Sequence, residues 1–387
     1  GPGALAAGPA PARSAVSLLA DPAFVAAADR GLDQLYDMHY AAAEREFARL
    51  AARYPGHPVG PFLGALPDWW RLVADPADTS RDARLMAALE EVIERSERFD
   101  RRRGDLDGRF FKGAALAFRG RLRSMRGDLL GAAVDCKRAL ALVREVAAED
   151  PANVDLWFGL GLFDYFGDVL PQRFPVLRPA ALFLPDADRE RGVRRLEQVV
   201  RRGHFVRTEA AFFLFQIEMF FEEDYEDSLR WIAWLRREHP GNALFHELEG
   251  RLYARWGRRD RARAVFRRVL ERYEAAAPGY SLAQAERAHY VMAVCDMRDG
   301  EYHLAIGRLA ELEGLPDPAG QERPLRTLGR LRQGMALDAL GQRRQAVSQY
   351  RRVLAREEVA DSHQRARSHL RSPFRGVADE PKAEPAS

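Results

Sequence analysis

Helical periodicity runs through nearly the whole chain, alternating β-type runs are almost absent, and short Gly/Asp/Arg turns return at intervals of roughly 35 to 45 residues. Such a period predicts a solenoid of helix hairpins. A single hairpin leaves an apolar face wet until the next one stacks on it, so the hairpins should form one cooperative array.

Particular residues carry the repeat. A small residue on the first helix of a hairpin, a second small one twelve positions on and a large one four further occur as Gly31, Ala43 and Phe47, with Tyr40 in the turn and Pro55 at the end. The set returns as Gly120, Ala132 and Cys136; as Gly250, Ala262 and Phe266 with Tyr253; and as Gly334, Ala346 and Tyr350. Weaker copies hold Ser228, Ile232 and Pro240, and Ala293, Ala305 and Leu309 with Tyr302. Trp157, Leu160 and Gly161 give a full first helix whose partner helix is displaced, and a divergent pair at about 60–73 and 81–98 carries Trp69 and Trp70.

This pattern resembles the tetratricopeptide-repeat family. The resemblance implies an all-α, right-handed superhelical solenoid of about eight hairpins, in which the small residues let the paired helices approach and the large one fills the space between hairpins. It predicts one helical-repeat domain over residues 18–360, a flexible lead-in over 1–17 and a largely disordered tail over 361–387. One departure is an insertion at 167–186 with Pro171, Pro175, Pro179 and Pro185, where proline should stop both helices. It reads as an ordered loop whose Phe174, Val176, Leu177, Leu182, Phe183 and Leu184 must be buried.

Charge narrows the partners. The formal charge is +3 over 387 residues, with acidic and basic residues interspersed, so no concentrated cationic stripe exists for nucleic acid. The basic residues are arginine except for Lys112, Lys137 and Lys382, which with abundant Ala and Gly suggests a GC-rich bacterial source. No stretch is apolar for long enough to span a membrane. Gly1-Pro2 reads as a protease-cleavage scar and the Ala/Gly/Pro run to Pro11 as a flexible lead-in, which together favour a removed signal peptide and a place in the bacterial periplasm or cell envelope. Cys136 and Cys295, far apart and each in a helical pattern, read as small apolar side chains.

Catalytic patterns are missing: there is no nucleophile elbow, phosphate loop, His-Glu-x-x-His or Cys-x-x-Cys. Gly159 and Gly161 are helix-packing glycines. Asp105, Asp107 and Gly108 read as a polar turn rather than a calcium loop, and Glu222, Glu223, Asp224, Glu226 and Asp227 as a solvated turn with attraction of a basic partner as the alternative. The expectation is a non-enzyme without metal or cofactor.

In the tetratricopeptide family the concave face is lined at fixed offsets from the small residue of the first helix. Those offsets select Phe158, Leu162, Tyr165 and Phe166 in the fourth hairpin and Phe213, Ile217, Phe220 and Phe221 in the fifth, against Glu247, Arg251, Ala254 and Arg255 in the sixth. The aromatic sets are either ordinary core, filled by the insertion, or a cavity for an apolar lipid with the insertion as lid and the Tyr165 hydroxyl fixing a polar end. The stretch from Trp157 to Phe221 further resembles the lipid-linked branch of these proteins, which includes yeast inclusion-clearance proteins and a helical-repeat component of bacterial sterol transport. That resemblance implies carriage of a sterol-like or hopanoid-like lipid, envelope transport or scaffold proteins as partners, and peripheral membrane contact. The alternative is a scaffold recognising a peptide or partner domain, with Trp69 and Trp70 as anchors unless they are buried.

Overall fold

The computed structural model describes residues 17–103, 106–173, 187–316 and 323–376. Asp105, Lys382 and the insertion residues from Phe174 to Leu184 lie outside these. Every regular element among the described residues is helical: α1 (Pro22–Tyr36), α2 (Tyr40–Arg53), α3 (Val59–Ala74), α4 (Asp82–Arg103), α5 (Leu106–Met125), α6 (Leu129–Glu149), α7 (Leu156–Arg173), α8 (Arg189–Arg202), α9 (Arg207–Ile217), α10 (Tyr225–Glu238), α11 (Ala243–Arg255), α12 (Arg259–Glu274), α13 (Leu282–Arg298), α14 (Tyr302–Gly314), α15 (Pro324–Ala339), α16 (Arg343–Leu354) and α17 (Ser362–Arg371). No helix among them is long and apolar enough to cross a membrane.

Local chemistry sets the boundaries. Asp128, Asp224 and Asn242 cap α6, α10 and α11 by accepting from first-turn backbone N–H groups. Gly257 and Gly341 end α11 and α15 at φ +76° and +75°, a left-handed turn that leads straight into the partner helix. The repeat residues then set the packing. Ala43, Ala262, Ala305 and Ala346 are wholly buried, and in the hairpin sets that hold Gly31, Gly250 and Gly334 a ring lies directly on the bare glycine backbone. A Cβ on Gly250 would stand 2.7 Å from the Phe266 ring and one on Gly334 2.5 Å from the Tyr350 ring, and Gly31 faces Phe47 in the same way.

Charged clamps, invisible in the apolar pattern, tie the same hairpins. Asp164 on α7 takes hydrogen bonds from Arg191 (2.8 and 3.0 Å) and from Arg195 on α8. Asp135 on α6, 1% exposed, accepts from Arg119 (2.7 and 2.8 Å) and Arg123 (2.7 Å) on α5. Asp296 on α13 joins Arg263 of α12 to Arg308 of α14. Bidentate arginine–carboxylate geometry of this kind keeps a buried carboxylate satisfied.

The contacts group into two compact units, one of Gly1–Leu32, Ala41–Trp69 and Ser80–Arg195 and the other of Asp33–Tyr40, Trp70–Thr79 and Leu196–Ser387. Several expectations change on this frame. Helix α7 continues through Pro171 to Arg173 instead of ending near Phe166, so 167–173 is helix and not loop. Proline there costs a backbone bond and crowds the carbonyl four residues back, but less than one turn of helix follows, and Asp168 secures the last turn by accepting from Gln172 (2.6 Å) and from the Arg189 backbone at the start of α8 (3.1 Å).

The C-terminal segment is also more ordered than its composition suggests. Within 361–387, α17 packs on α15 and α16 with Ala366 and Phe374 buried, and the Phe374 N–H donates to Asp338 at 3.1 Å. Asp107 is a buried first-turn residue of α5 and not part of a polar turn. It accepts from Ser17 Oγ (2.5 Å) and the Leu18 backbone (2.8 Å), and it meets His57 Nε2 at 3.3 Å. Cys136 is half-buried and Cys295 buried, both as free thiols.

Burial of histidine in the second unit gives an acid-stability prediction. His246, 5% exposed on α11, faces the Tyr280 hydroxyl at 2.9 Å, and burial, helped by Arg236, Arg268 and Arg272, pushes its pKa down to about 3. Burial likewise lowers His239. The unfolded chain takes up these protons below about pH 6.5 and the folded one does not, so stability is full above that pH and falls as pH drops towards 3. For His246 the slope should approach about 1.4 kcal/mol per pH unit. Urea midpoints measured between pH 7 and 5 should fall less steeply in His246→Gln than in the parent.

Candidate functional site

In the first unit the four residues picked from α7 do not form one lining. Tyr165 has no exposed surface. Its backbone lies under α8, where a Cβ on Gly192 would come within 2.6 Å of Tyr165 N and 2.7 Å of Gly161 O. This crossing makes Tyr165 a core residue, so its hydroxyl cannot present itself to a ligand in the groove. Phe158, Leu162 and Phe166 are half-buried. The open cavity of about 450 Å³ on this helix belongs to the other side, lined by Leu160, Phe163 and Asp164 with Leu140 and Arg144 of α6 and Arg191 of α8.

The second unit holds Phe213, Ile217, Phe220 and Phe221. Ile217 is completely buried, a core residue like Tyr165, and the other three are half-buried. The helix does not continue regularly past Ile217: Glu218–Glu222 is a π turn, which rotates Phe220 and Phe221 away from the positions counted on an α-helix. Phe220 then faces charge. The guanidinium groups of Arg251 and Arg255 stand 5.6 and 5.8 Å from its ring centroid, and Arg255 pairs with Glu223 at 2.8 Å. Arg251 stays protonated at neutral pH, although burial and repulsion from Arg287 push it down to about 10. Glu247, 1% exposed, is the carboxylate among these arginines, 2.6 Å from Arg287 and 3.7 Å from Arg251.

Segments distant in sequence complete this unit. Asn242 Nδ2 donates to Tyr36 O at 2.5 Å, the Gly241 N–H to Asp37 Oδ1 at 3.1 Å, and the Tyr36 hydroxyl to Glu209. Trp70 stacks edge-on against Tyr36 (5.4 Å) and Phe245 (6.1 Å). Gln284 reaches Ala74 O at 3.3 Å, and Arg323 bridges Asp75 (3.0 Å) and Glu286 (2.9 Å). The ends of α9, α11, α13 and α15 are thus already occupied by residues 36–38 and 70–75. Trp69 is equally buried in the first unit, against Phe118 at 4.7 Å, so neither tryptophan is available as a surface anchor.

Two surface features stand out. On α6, Leu129, Leu130 and Val134 are 64, 85 and 56% exposed, three of the four large apolar side chains most open to solvent among the described residues. They surround the first turn of one helix, and Ala133 beside them is exposed as well. At the α9–α10 junction, Glu218 joins the acidic turn: it is 7% exposed, and burial, then Asp227, Asp224 and Glu222, hold its pKa up at about 7 against the pull of Arg230.

Residues 329–357, which cover most of α15 and α16, match the family model described as tetratricopeptide repeat. The chain is similar to the crystal structure of yeast Tom70 at a TM-score of 0.44 and 11% identity, over 92% of this chain and 82% of that one. It is similar to NprR in complex with its cognate peptide NprX at a TM-score of 0.41 and 11% identity, over 90% and 83% of the two chains. For the human IFIT1 dimer with m7Gppp-AAAA the TM-score is 0.42 and the identity 12%, over 90% and 87%. No curated protein matches the sequence. The chain is an all-helical protein of stacked hairpins that carries a tetratricopeptide repeat near its C-terminal end.

Proposed function

We propose that this chain is a non-catalytic scaffold that recognises a partner protein through the apolar first turn of α6. The carrying observation is the cluster of Leu129, Leu130 and Val134, all more than half exposed on one short stretch of surface. Covering one such side chain is worth at most roughly 1.5–3 kcal/mol, so the three adjacent ones can anchor the centre of an interface whose surrounding contacts offset the cost of association. They sit on a held α5–α6 pair, which lowers the cost of ordering the backbone: Asp135 accepts from Arg119 and Arg123, and Asp128 caps Gly131 N at 2.9 Å.

Lipid carriage is the second reading, and the half-buried Phe213 and Phe221 of the second unit favour it. Against it stand the burial of Tyr165 and Ile217 and the arginines over Phe220. Native mass spectrometry of the protein isolated from its own cells separates the two. The scaffold reading expects an added polypeptide mass, weakened by at least about tenfold in Leu130→Asp. A stoichiometric lipid mass that organic extraction removes, with no polypeptide, overturns it.

A further inference from the structure

The junction of α9 and α10 brings together three carboxylates. Glu218 opens the π turn, Asp224 caps α10, and Asp227 lies in its first turn; one oxygen from each stands within 4.8 Å of the other two. An acidic turn is ordinarily just solvated, and Asp224 Oδ1 already accepts from the Glu226 and Asp227 backbones at 3.1 and 2.9 Å. Glu218 is different. It is 93% buried, no described residue donates a hydrogen bond or ion pair to its carboxylate, and it points at the two aspartates. A buried carboxylate normally has a donor or a cation. The nearby arginine, Arg230, reaches only Asp227, at 3.6 Å, and is shared with Glu197 at 3.1 Å.

We propose that Glu218, Asp224 and Asp227 hold a hard divalent cation of the Ca²⁺ class. The donors are all oxygen, without the nitrogen or sulfur that zinc or copper sites use. Ca²⁺ binds oxygens at about 2.3–2.6 Å, so two ligands in one shell can stand up to about 5 Å apart, and the 4.8 Å limit seen here falls inside that span. Water and the neighbouring Glu222 would complete the shell. The ion would fasten the π turn to the start of α10, and the site is independent of the α6 surface.

The test uses the full chain, stripped with chelator, in calorimetric titrations with Ca²⁺ and separately with Mg²⁺ at physiological ionic strength. One Ca²⁺ should bind with a Kd below about 1 mM and raise the melting temperature. Glu218→Gln, which keeps the shape and removes the charge, should weaken binding by about tenfold or more, and Asp227→Asn should do the same. Glu226→Gln, in the same turn but outside the triad, should leave it unchanged. If the Gln variant does not fold, the Asp227→Asn titration decides. Absence of Ca²⁺ binding by the parent overturns the proposal, as does equal affinity in the parent and the Glu218 or Asp227 variants, which is diffuse attraction to an acidic surface. Tighter binding of Mg²⁺ than of Ca²⁺ overturns the choice of ion.

Discussion

Gly192→Ala will destabilise the first unit by about 3 kcal/mol, the upper end of what overpacking a core costs. The sign runs against helix propensity, since alanine inside a helix usually gains about 0.5–1 kcal/mol over glycine. The reason is that the new methyl would meet backbone, Tyr165 N at 2.6 Å and Gly161 O at 2.7 Å, and no side-chain rotation can move it clear. Helices α7 and α8 would have to separate, loosening the Asp164 clamp with them. Gly307 on α14 is the matched control, because nothing lies within 4 Å of a Cβ built there. Gly307→Ala should be neutral or stabilising by up to about 1 kcal/mol. Urea unfolding of both variants, with hydrogen exchange on α7 peptides to place the loss, checks the pair.

Asp296→Ala should cost the second unit about 3 kcal/mol. Asp296 is 1% exposed and receives Arg263 Nε at 2.7 Å and Arg308 Nε at 2.5 Å, so one carboxylate links three successive helices. Removing one partner of a buried pair costs about 3–5 kcal/mol when the other charge is left alone, but Arg263 would keep its pairs with Asp299 and Asp260. The lower end applies because the Arg263 and Arg308 side chains keep 15 and 26% exposure and can turn towards water. Asp296→Asn should fall between the alanine variant and the parent. A double-mutant cycle with Arg308→Met, read by urea denaturation, should return a coupling of at least about 1 kcal/mol.

The hairpins were readable because they rest on local spacing: Gly250 with Ala262 and Phe266, or Gly334 with Ala346 and Tyr350, needs only neighbouring helices to form. What depends on distant segments left no local mark. Gly161 has its close-approach partner in Gly192, beyond an insertion that hides the usual spacing. Asn242 holds Tyr36 across more than two hundred positions. The buried aspartates 135, 164 and 296 look in sequence like any solvated charge, since only the fold brings two arginines to each. The lining residues failed in part for a geometric reason. Offsets counted on a regular helix cannot foresee the π turn at Glu218–Glu222, and they selected Tyr165 and Ile217, which are fully buried. Glu218 itself was masked by the apolar run Ile217, Met219, Phe220 and Phe221 around it. The exposed Leu129, Leu130 and Val134 fit an amphipathic pattern as well as any core residues do, and only the structure shows them open to solvent.

The most direct test of the scaffold account is photo-crosslinking in the native cell, with a crosslinking residue placed at position 130 and a control at the exposed Arg268 of α12. The account predicts one discrete protein adduct from position 130, none from position 268, and loss of the adduct when Leu129 and Val134 are both changed to Asp. An adduct pattern at position 130 no different from that at 268, or one unchanged by the paired Asp substitutions, would contradict it.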